Sequence, residues 1–420
     1  MRILYSALTE YFWMHVVEVV NNLAELGHEV HLATFLRSRP PRLHHSVSFH
    51  NLSLRNRPWQ DFLAPPFLDA LIRCGLERLA GRGDSIYASW IGHIVDSASF
   101  DLIYEREGNV APAIAVAHAR SIPSILEFNA IWPLEMQWKG YSPSEAQLAL
   151  EVRLEAACLA TRVVSVSAGA RDYYSEHGAS LGKFRVIPNG AAIDLFHPLE
   201  QRLCRERLGL GTKDKLIGYT GSLQPFYDIQ CVIRAMPSIL RRVPTAHFVA
   251  VGRDYKPPFG PGRENLKNLS RELGLASRVH LLEAVPYEEV PIHIGSFDLC
   301  LLPLAKKDGW QAALSPLKLR EYMACARPVV ASDIPGDSQV LGQARAGLLY
   351  EPGDREDIAE KICRLLESPE LACSMGQNGR RHVLECGTWR HTAESILAVA
   401  EEAIADMKQT KAVLVGRAEQ

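Results

Sequence analysis

The stretch "SPLKLREYMACARPVVASDIPG", residues 315–336, joins the start of a helix to a buried strand. Ser315 suits a helix cap, and Pro316 suits the first helical position because its φ is already helical and its missing N–H costs nothing there. The run "PVVAS" has the apolar composition of a core strand. A helix followed at once by such a strand is the repeating unit of a parallel sheet covered by crossover helices.

Outward from this stretch, the alternation of short apolar runs and helical segments occurs twice along the 420 residues, a length that exceeds a single core. Strands are predicted at residues 2–8, 29–34, 101–105, 123–128, 162–167 and 184–190, and again at 216–222, 247–252, 278–285, 298–304, 327–332 and 346–352. We therefore expect the α/β class, with two doubly wound Rossmann-like domains facing a cleft. The predicted domains are residues 1–190 and 191–388, and a C-terminal helix at about 389–410 is expected to cross back to the first.

The composition excludes several classes of protein. A net charge of −2 and a pI near 6.7 provide no overall field for nucleic acid. The nine cysteines include no C-x-x-C pair, which favours reduced thiols over zinc or disulfides. No signal peptide or spanning segment is evident, so a cytoplasmic location is expected.

Residues 37–85 form a local exception to this neutral balance. The part from Arg37 to Arg57 carries five arginines, three histidines and no acid, and an aromatic, proline-rich and partly amphipathic stretch follows it. One interpretation is a solvated insertion between strands. The other is an acceptor contact or a peripheral contact with an anionic membrane surface.

The clearest chemistry lies at the start of the quoted helix. Free N–H groups at Leu317 and Lys318 would attract phosphate through the helix dipole, and the Lys318 side chain adds a full charge. Glu321 lies near the apolar face of the same helix, where a buried carboxylate needs a partner. Because one carboxylate can accept both vicinal hydroxyls of a ribose, the pattern indicates a nucleotide diphosphate. A capped helix with a surface lysine is the alternative.

Several segments now carry a resemblance to a known family. "RVIPNGAAIDLFHP", "IGYTGSLQP", the quoted stretch and "AGLLYEPGD" resemble the C-terminal domain of the family 4 retaining glycosyltransferases of GT-B fold. "LAELGHEVHLAT", "DLIYEREG", "IPSILEFNA" and "RVVSVSAGARDYY" are similar to the acceptor domain of the same family, in matching order. The resemblance runs from Arg2 to about Trp389.

The resemblance implies metal-independent transfer of a sugar, with retention, from a nucleotide diphosphate sugar to a hydroxyl of a glycan, lipid-linked or small-molecule acceptor. A UDP-sugar is the expected donor, no cofactor is expected, and the sequence has no Asp-x-Asp pair to chelate a metal. Carried over by position, Glu321 would hold the ribose, and the backbone from Ser315 to Lys318 would hold the phosphates. Gly221 and Ser222 would form the loop under the diphosphate. The segment around Val285 would contact the base.

Some positions depart from the family pattern. Ala313 stands where a glutamate is usual, Ser222 replaces the first residue of a usual basic pair, and "QPFYD" provides no second one. Lys318 is the first candidate for the missing cation and Arg253 the second, with Lys306 and Lys307 also nearby. These losses motivate the alternative of a catalytically inactive nucleotide-sugar-binding partner or regulatory subunit.

The first domain offers candidates for acceptor binding. Asn129 replaces a histidine often found after the strand at 123–128, and it could orient groups but could not move a proton. Glu105, Arg106, Glu107 and Glu127 lie at predicted strand ends, where a salt-bridged strand end is equally plausible. In the loop after the first strand, Tyr11, Trp13 and His15 are further candidates, although Tyr11 and Trp13 could equally staple the following helix and His15 could be a helix-surface or core residue.

Overall fold

The computed structural model of the protein describes residues 1–7, 13–34, 36, 38–51, 86–106, 111–138, 140–224, 226–255, 262–305 and 315–418. The chain divides into two compact units. The first contains Met1–Pro188 together with the segment from Trp389 onward, and the second contains Asn189–Thr388. Each unit is built on a parallel sheet, which confirms the predicted fold class.

The sheet of the first unit has seven parallel strands in the order β3-β2-β1-β4-β5-β6-β7. The strands are β1 Arg2–Ala7, β2 Glu29–Thr34, β3 Ser48–Asn51, β4 Leu102–Arg106, β5 Ser124–Phe128, β6 Arg162–Ser165 and β7 Phe184–Val186. The chain runs outward from β1 to β3 and then returns to the other side of β1 at β4. The strand order therefore reverses between β1 and β4, where ligands of such sheets usually bind.

Among the residues that the structure describes, six helices of the first unit connect these strands. They are α1 Trp13–Glu25, α2 Ile86–Ser97, α3 Pro112–Ala119, α4 Trp132–Trp138, α5 Pro143–Leu159 and α6 Ala168–Glu176. Gly27 follows α1 with a φ of +88°, a conformation that favours glycine. A capping box starts α5, since the Ser142 side chain accepts from the Glu145 N–H and the Glu145 carboxylate accepts from the Ser142 N–H.

The second unit repeats the design with six parallel strands in the order β10-β9-β8-β11-β12-β13. These are β8 Lys215–Thr220, β9 Ala246–Val251, β10 Val279–Leu282, β11 Leu299–Leu302, β12 Val329–Ser332 and β13 Gly347–Tyr350. The reversal of strand order falls between β8 and β11. All residues of β11 and β12 are buried, as expected for strands covered on both faces.

In the described part of the second unit, eight helices accompany these strands. They are α7 Gln201–Arg207, α8 Ile229–Arg242, α9 Arg263–Glu272, α10 Val290–Ser296, α11 Leu317–Ala324, α12 Asp337–Ala344, α13 Arg355–Glu367 and α14 Pro369–Cys386. Helix α11 follows β11 and helix α12 follows β12. Both helices therefore begin at the carboxyl edge of the sheet.

The last helix, α15 Trp389–Ala418, belongs to the first unit. The Glu402 carboxylate accepts a hydrogen bond of 2.6 Å from Arg185, and Asp406 pairs with Arg162 at 2.7 Å. The Thr392 hydroxyl donates to the Pro188 carbonyl oxygen over 3.1 Å. The first unit is thus assembled from both ends of the chain.

Each predicted strand overlaps an observed strand, but β3 was not predicted. Its sequence "SFHN" lies within the basic segment 37–85 and has little apolar character. It joins the sheet by pairing with β2, where His31 and His50 stack with ring centroids 5.2 Å apart. Residues 52–85, which make up most of that segment, lie outside the described residues.

In the described part of the chain, no helix combines the length and the apolar character needed to cross a bilayer.

Candidate functional site

The candidate site lies in the second unit, where the strand order reverses between β8 and β11. Helix α11 is fixed to the end of β8 by Tyr322. The Thr220 N–H donates to Tyr322 Oη over 2.8 Å, and the Tyr322 hydroxyl donates to the Thr220 carbonyl oxygen over 3.2 Å. Tyr322 is fully buried, so these bonds hold the start of α11 next to the loop that follows β8.

The prediction that Ser315 caps α11 is wrong. The helix begins at Leu317, Pro316 occupies the cap position, and no side chain caps the helix. The Ser315 hydroxyl accepts instead from the Asn189 N–H and from the Arg320 guanidinium, each at 3.2 Å. Because Ser315 is used in this way, the N–H groups of the first turn receive no side-chain cap and remain able to bind a ligand.

Lys318 is the central cation of this site. The side chain is only 9% exposed, and its Nζ lies 3.0 Å from Tyr219 Oη. Burial is the main cause that lowers the pKa of Lys318 to about 7, while the negative charges of Glu321 and Asp337 oppose that shift. A buried ammonium with a single hydrogen-bond partner is costly, which favours the entry of an anion.

Gly221 provides the space for Lys318. Its φ of +134° favours glycine, and a Cβ at this position would lie 2.5 Å from Lys318 Nζ. Its carbonyl oxygen packs so closely on Gly252 that a Cβ on Gly252 would lie 1.7 Å away. The two glycines therefore allow the loops after β8 and β9 to approach each other and the lysine.

Glu321 lies one turn beyond Lys318 on the same helix. It is 6% exposed, and its Oε1 accepts a 2.7 Å hydrogen bond from the Tyr287 hydroxyl. Burial raises the pKa of Glu321 to about 7, and the Tyr287 hydrogen bond and the charge of Lys318 act in the opposite direction. Since the other oxygen of this carboxylate has no hydrogen bond within the described structure, it can accept from a ligand hydroxyl.

Two further buried charges accompany this pair. Arg320 is 7% exposed and Asp337, the first residue of α12, is 4% exposed. Burial raises the pKa of Asp337 to about 7, opposed by the charges of Arg320 and Lys318. The four side chains formally contain two cations and two anions, so the helix starts form a compact and nearly balanced group of charges.

The other donor-site candidates lie on the loops around this group. The Ser222 carbonyl oxygen accepts a 2.6 Å hydrogen bond from the Tyr219 hydroxyl. Arg253 is exposed, and its carbonyl oxygen accepts from the Leu223 N–H over 2.9 Å. Val285 is half-buried, two residues before the Tyr287 that bonds Glu321. The structure therefore groups Lys318 with Gly221 and Tyr219, whereas the exposed Arg253 has its guanidinium over the ring of Tyr255, 5.9 Å from the centroid.

Part of the predicted site lies outside the described residues. This applies to Tyr11, Glu107, Lys306, Lys307 and Ala313. Trp13 begins α1, but its side chain is likewise outside what the structure describes.

In the first unit, Glu127 forms a polar cluster at the matching reversal of strand order. Its Oε2 accepts from Tyr104 over 2.5 Å and from Tyr5 over 3.5 Å, and its Oε1 accepts from Arg106 over 3.1 Å. The rings of Tyr5 and Tyr104 are stacked with centroids 4.8 Å apart. Arg106 is therefore paired with Glu127, and acceptor binding by Arg106 stays a prediction.

Glu105, the neighbouring acid, is turned toward the start of α3. Its Oε2 accepts from the Ile114 N–H over 2.8 Å, and its Oε1 accepts from the Ser6 hydroxyl over 3.3 Å. Ala111 cannot cap this helix, so the carboxylate takes that role from a distance in the sequence. Burial raises the pKa of Glu105 to about 8. This geometry gives Glu105 a structural role, and its contact with an acceptor remains a prediction.

His15 and Asn129 occupy different settings. His15 is 4% exposed in α1, which places it in the core and away from solvent. Asn129 follows β5 directly and is half-buried. Their predicted parts in acceptor binding and catalysis stay predictions.

The sequence-based reasoning missed the tyrosines of the second unit. Tyr287 bonds Glu321 across 34 positions, and Tyr219 bonds Lys318 across 99. Tyr227 lies against the same lysine. Only the aromatic content of "IGYTGS" and "QPFYD" could have drawn attention to two of these three residues.

A separate groove of about 610 Å³ lies in the second unit, lined among others by Lys215 at the start of β8 and Pro328 just before β12. It is therefore at the amino ends of the strands. Because parallel sheets bind their ligands at the carboxyl ends, this groove is not the candidate site.

Comparison with known families agrees with the division into two units. A family model described as glycosyl transferases group 1 matches residues 200–382. A second model, described as a glycosyl transferase 4-like domain, matches residues 13–190. The first match covers the candidate site, and the second covers Tyr104, Arg106 and Glu127 of the cluster in the first unit.

The individual relatives have low sequence identity to this chain. A GDP-mannose-dependent alpha-(1-6)-phosphatidylinositol monomannoside mannosyltransferase of Mycolicibacterium smegmatis is 30% identical over 49% of this chain and 52% of its own. A D-inositol 3-phosphate glycosyltransferase of Thermobispora bispora is 24% identical over 94% of this chain and 91% of its own. The chain spans about half the length of several such relatives, 53%, 57% and 51% in three of them.

Among solved structures, Anabaena HepE in complex with UDP and glucose has a TM-score of 0.71 to this chain. The alignment covers 96% of this chain and 100% of the other, with 18% identity. At this identity the likeness establishes the fold.

Proposed function

This chain belongs to the family 4 glycosyltransferases of GT-B fold, and on that premise we propose that it transfers a sugar, with retention, from a nucleotide diphosphate sugar to an acceptor hydroxyl. The observation that carries the proposal is the buried pair of Lys318 and Glu321 on one uncapped helix start. A cation and free N–H groups suit a diphosphate, and a carboxylate one turn further suits a ribose.

Departure of the nucleoside diphosphate is the step that most needs help from the protein. Negative charge develops on the leaving phosphate oxygen as its bond to the anomeric carbon breaks. The Lys318 ammonium and the N–H groups at the start of α11 are aimed at that charge in a largely dry site. In this proposal they stabilise the leaving group without a metal.

Glu321 fixes the nucleoside half of the donor. The hydrogen bond from the Tyr287 hydroxyl to Oε1 fixes the orientation of the carboxylate, which can then accept hydrogen bonds from the two ribose hydroxyls. Val285, two residues before Tyr287, is then placed near the base. In this proposal Gly221 lies under the diphosphate, and its missing Cβ lets the Lys318 ammonium approach this loop.

The acceptor completes the reaction. Its hydroxyl oxygen attacks the anomeric carbon on the face that the diphosphate leaves, and its proton passes to the departing phosphate. Asn129 cannot take that proton, which is consistent with this route. The acceptor is proposed to bind the first unit, and a peripheral membrane contact through residues 37–85 stays a prediction.

The donor base is proposed to be uracil. HepE, which shares the fold, was solved with UDP and with UDP-glucose, and this supports UDP as the nucleotide. The mannosyltransferase relative is described as GDP-mannose-dependent, which makes GDP the necessary comparison.

The test is a panel of UDP- and GDP-sugars screened for thermal stabilisation, since a ligand of the folded state raises the melting temperature by mass action. We expect a UDP-sugar to give the largest shift, with EDTA leaving that shift unchanged. Stabilisation by a GDP-sugar alone would overturn the uracil assignment. Stabilisation by no nucleotide sugar would overturn the function.

Turnover is then measured by release of UDP from the stabilising donor in the presence of candidate acceptors. The anomeric configuration of the product, read by NMR coupling constants, decides between retention and inversion. Loss of turnover on chelation of metals would contradict the metal-independent mechanism.

A further inference from the structure

Lys318 is held in an aromatic environment. Its Nζ lies 3.4 Å from the ring centroid of Tyr227 and 4.5 Å from that of Tyr219. Within the described part of the chain, Lys318 forms no ion pair, and its hydrogen-bond partner is the Tyr219 hydroxyl. Besides this hydroxyl oxygen, the two aromatic rings are therefore close sources of negative potential for the ammonium.

A cation over an aromatic face is attracted by the ring quadrupole, and the attraction is stronger where water is excluded. Both tyrosines meet that condition, since Tyr219 is fully buried and Tyr227 is 8% exposed. Their rings pack on each other with centroids 5.5 Å apart and planes at 61°. The lysine thus faces two differently inclined rings.

The two rings are themselves fixed. The Tyr219 hydroxyl donates to the Ser222 carbonyl oxygen over 2.6 Å. The backbone of Tyr227 forms an antiparallel bridge with Leu304, and the next residue, Asp228, donates its N–H to the Pro303 carbonyl oxygen over 2.6 Å. Asp228 also caps α8 by accepting from the Cys231 N–H. Tyr227 therefore sits on a rigid segment between two elements.

Tyr227 belongs to "QPFYD", the segment that lacks the basic residue expected after β8. We propose that Tyr227 and Tyr219 are positioning residues. Their two rings, called here the aromatic seat, hold the ammonium of Lys318 beside Gly221. The ammonium there replaces the cation that is missing from this loop. The inference rests on the proposed function, because it concerns the cation that meets the diphosphate.

Two charged groups act on Lys318, Glu321 on α11 itself and Asp337 on α12. The neutral hydroxyl of Tyr219 on β8 and the ring of Tyr227 also lie against it. Burial opposes the charged form of the lysine, and the rings and carboxylates favour it. Removing one ring face should therefore lower the fraction of protonated Lys318 at neutral pH.

The test measures the dissociation constant of UDP by calorimetry from pH 6 to pH 9 for the wild type, Tyr227→Phe and Tyr227→Leu. Phenylalanine keeps the ring face, so its affinity should stay within about twofold of the wild type. Leucine keeps an apolar side chain without that face, and UDP binding should weaken about tenfold at pH 7. The alkaline loss of binding should also begin at a lower pH.

A double-mutant cycle separates positioning from general packing. In a Lys318→Met background, Tyr227→Leu should cause no further loss of UDP affinity. If Tyr227→Leu reduced UDP affinity equally in both backgrounds, or left it unchanged in the wild-type background, the proposed role of the aromatic seat would be wrong. Melting temperatures of all variants show whether each one folds.

A second readout does not depend on nucleotide binding. Acetic anhydride modifies neutral lysines, so the rate of Lys318 acetylation against pH, followed by mass spectrometry, reports its protonation. Tyr227→Leu should shift that profile to lower pH and Tyr227→Phe should not. If the wild type binds neither UDP nor GDP, the proposed function fails, while this labelling result still supports or overturns the seat.

Discussion

Both units have charged side chains where the strand order of the sheet reverses, but the hydrogen-bond partners of these side chains differ between the units. In the first unit, Glu127 accepts from three protein donors, and Glu105 accepts from a hydroxyl and from the start of α3. In the second, counting only described residues, the side chains of Lys318 and Glu321 each form one hydrogen bond, in both cases with a tyrosine. A polar group whose partners are all within the protein rigidifies the fold, whereas one that keeps free capacity can bind a ligand.

The largest effect should come from Lys318. Replacing Lys318 by methionine removes the cation that meets the leaving diphosphate, so turnover of the donor should fall by about 100-fold or more. The melting temperature should stay the same or rise, because a buried charge is removed. The matched control is Lys267→Met, an exposed lysine of the same unit. Equal loss of stability and turnover would make Lys318 structural and erase the contrast between the units.

Glu321 should give the next largest effect. Glu321→Ala removes a buried charged acceptor worth about 1.5–3 kcal/mol, so UDP affinity should fall more than tenfold. Calorimetry measures this directly, with the exposed Glu272→Ala as control. An unchanged dissociation constant would show that the ribose is held elsewhere.

The pH dependence of UDP binding sharpens the comparison further. Lys318, with a pKa near 7, loses its proton above that pH, and Glu321, also near 7, gains one below it. Affinity should therefore be highest around pH 7 and decline on both sides. Lys318→Met should flatten the alkaline side and Glu321→Ala the acidic side. A monotonic profile in the wild type would contradict this pairing of roles.

The smallest effect is expected in the first unit. In the folded state the pKa of Glu105 is raised from 4.5 to about 8, so the folded protein binds this proton more tightly than the unfolded chain does. The resulting contribution to stability is fully present below about pH 4.5 and is lost as the pH rises through about 8. Glu105→Gln keeps an acceptor oxygen without a charge. Its melting temperature should match the wild type at pH 4.5 and exceed it by a few degrees at pH 8.5.

This variant also tests whether the first unit's acid is structural. UDP affinity should be unchanged in Glu105→Gln, measured by the same calorimetry. A lower melting temperature at every pH would instead show that the ionised carboxylate stabilises the start of α3.

The sequence predicted the fold more completely than the site. Apolar runs such as "PVVAS" are local signals, and the strands they predict are present. The polar strand β3 has no such signal because it depends on pairing with β2. Serine is a common helix cap, but the Ser315 hydroxyl accepts a hydrogen bond from the N–H of Asn189, which lies 126 positions away.

The same limit applies to the chemistry. Lys318 and Glu321 could be found because they lie three residues apart on one helix. The tyrosines that orient them come from other strands and loops, and no pattern in one sequence reports contacts of that range. The departures at Ser222 and "QPFYD" indicated that a cation was missing, but only the structure showed rings beside the lysine.

The return of α15 to the first unit has a consequence for how the protein matures. Trp389, Ile396, Val399 and Ala403 are buried there, so the first unit needs residues that the ribosome adds only after the whole second unit. The second unit is continuous in sequence and has all of its chain earlier. During synthesis, the second unit should therefore reach its native state first, while the first unit waits until α15 has been made.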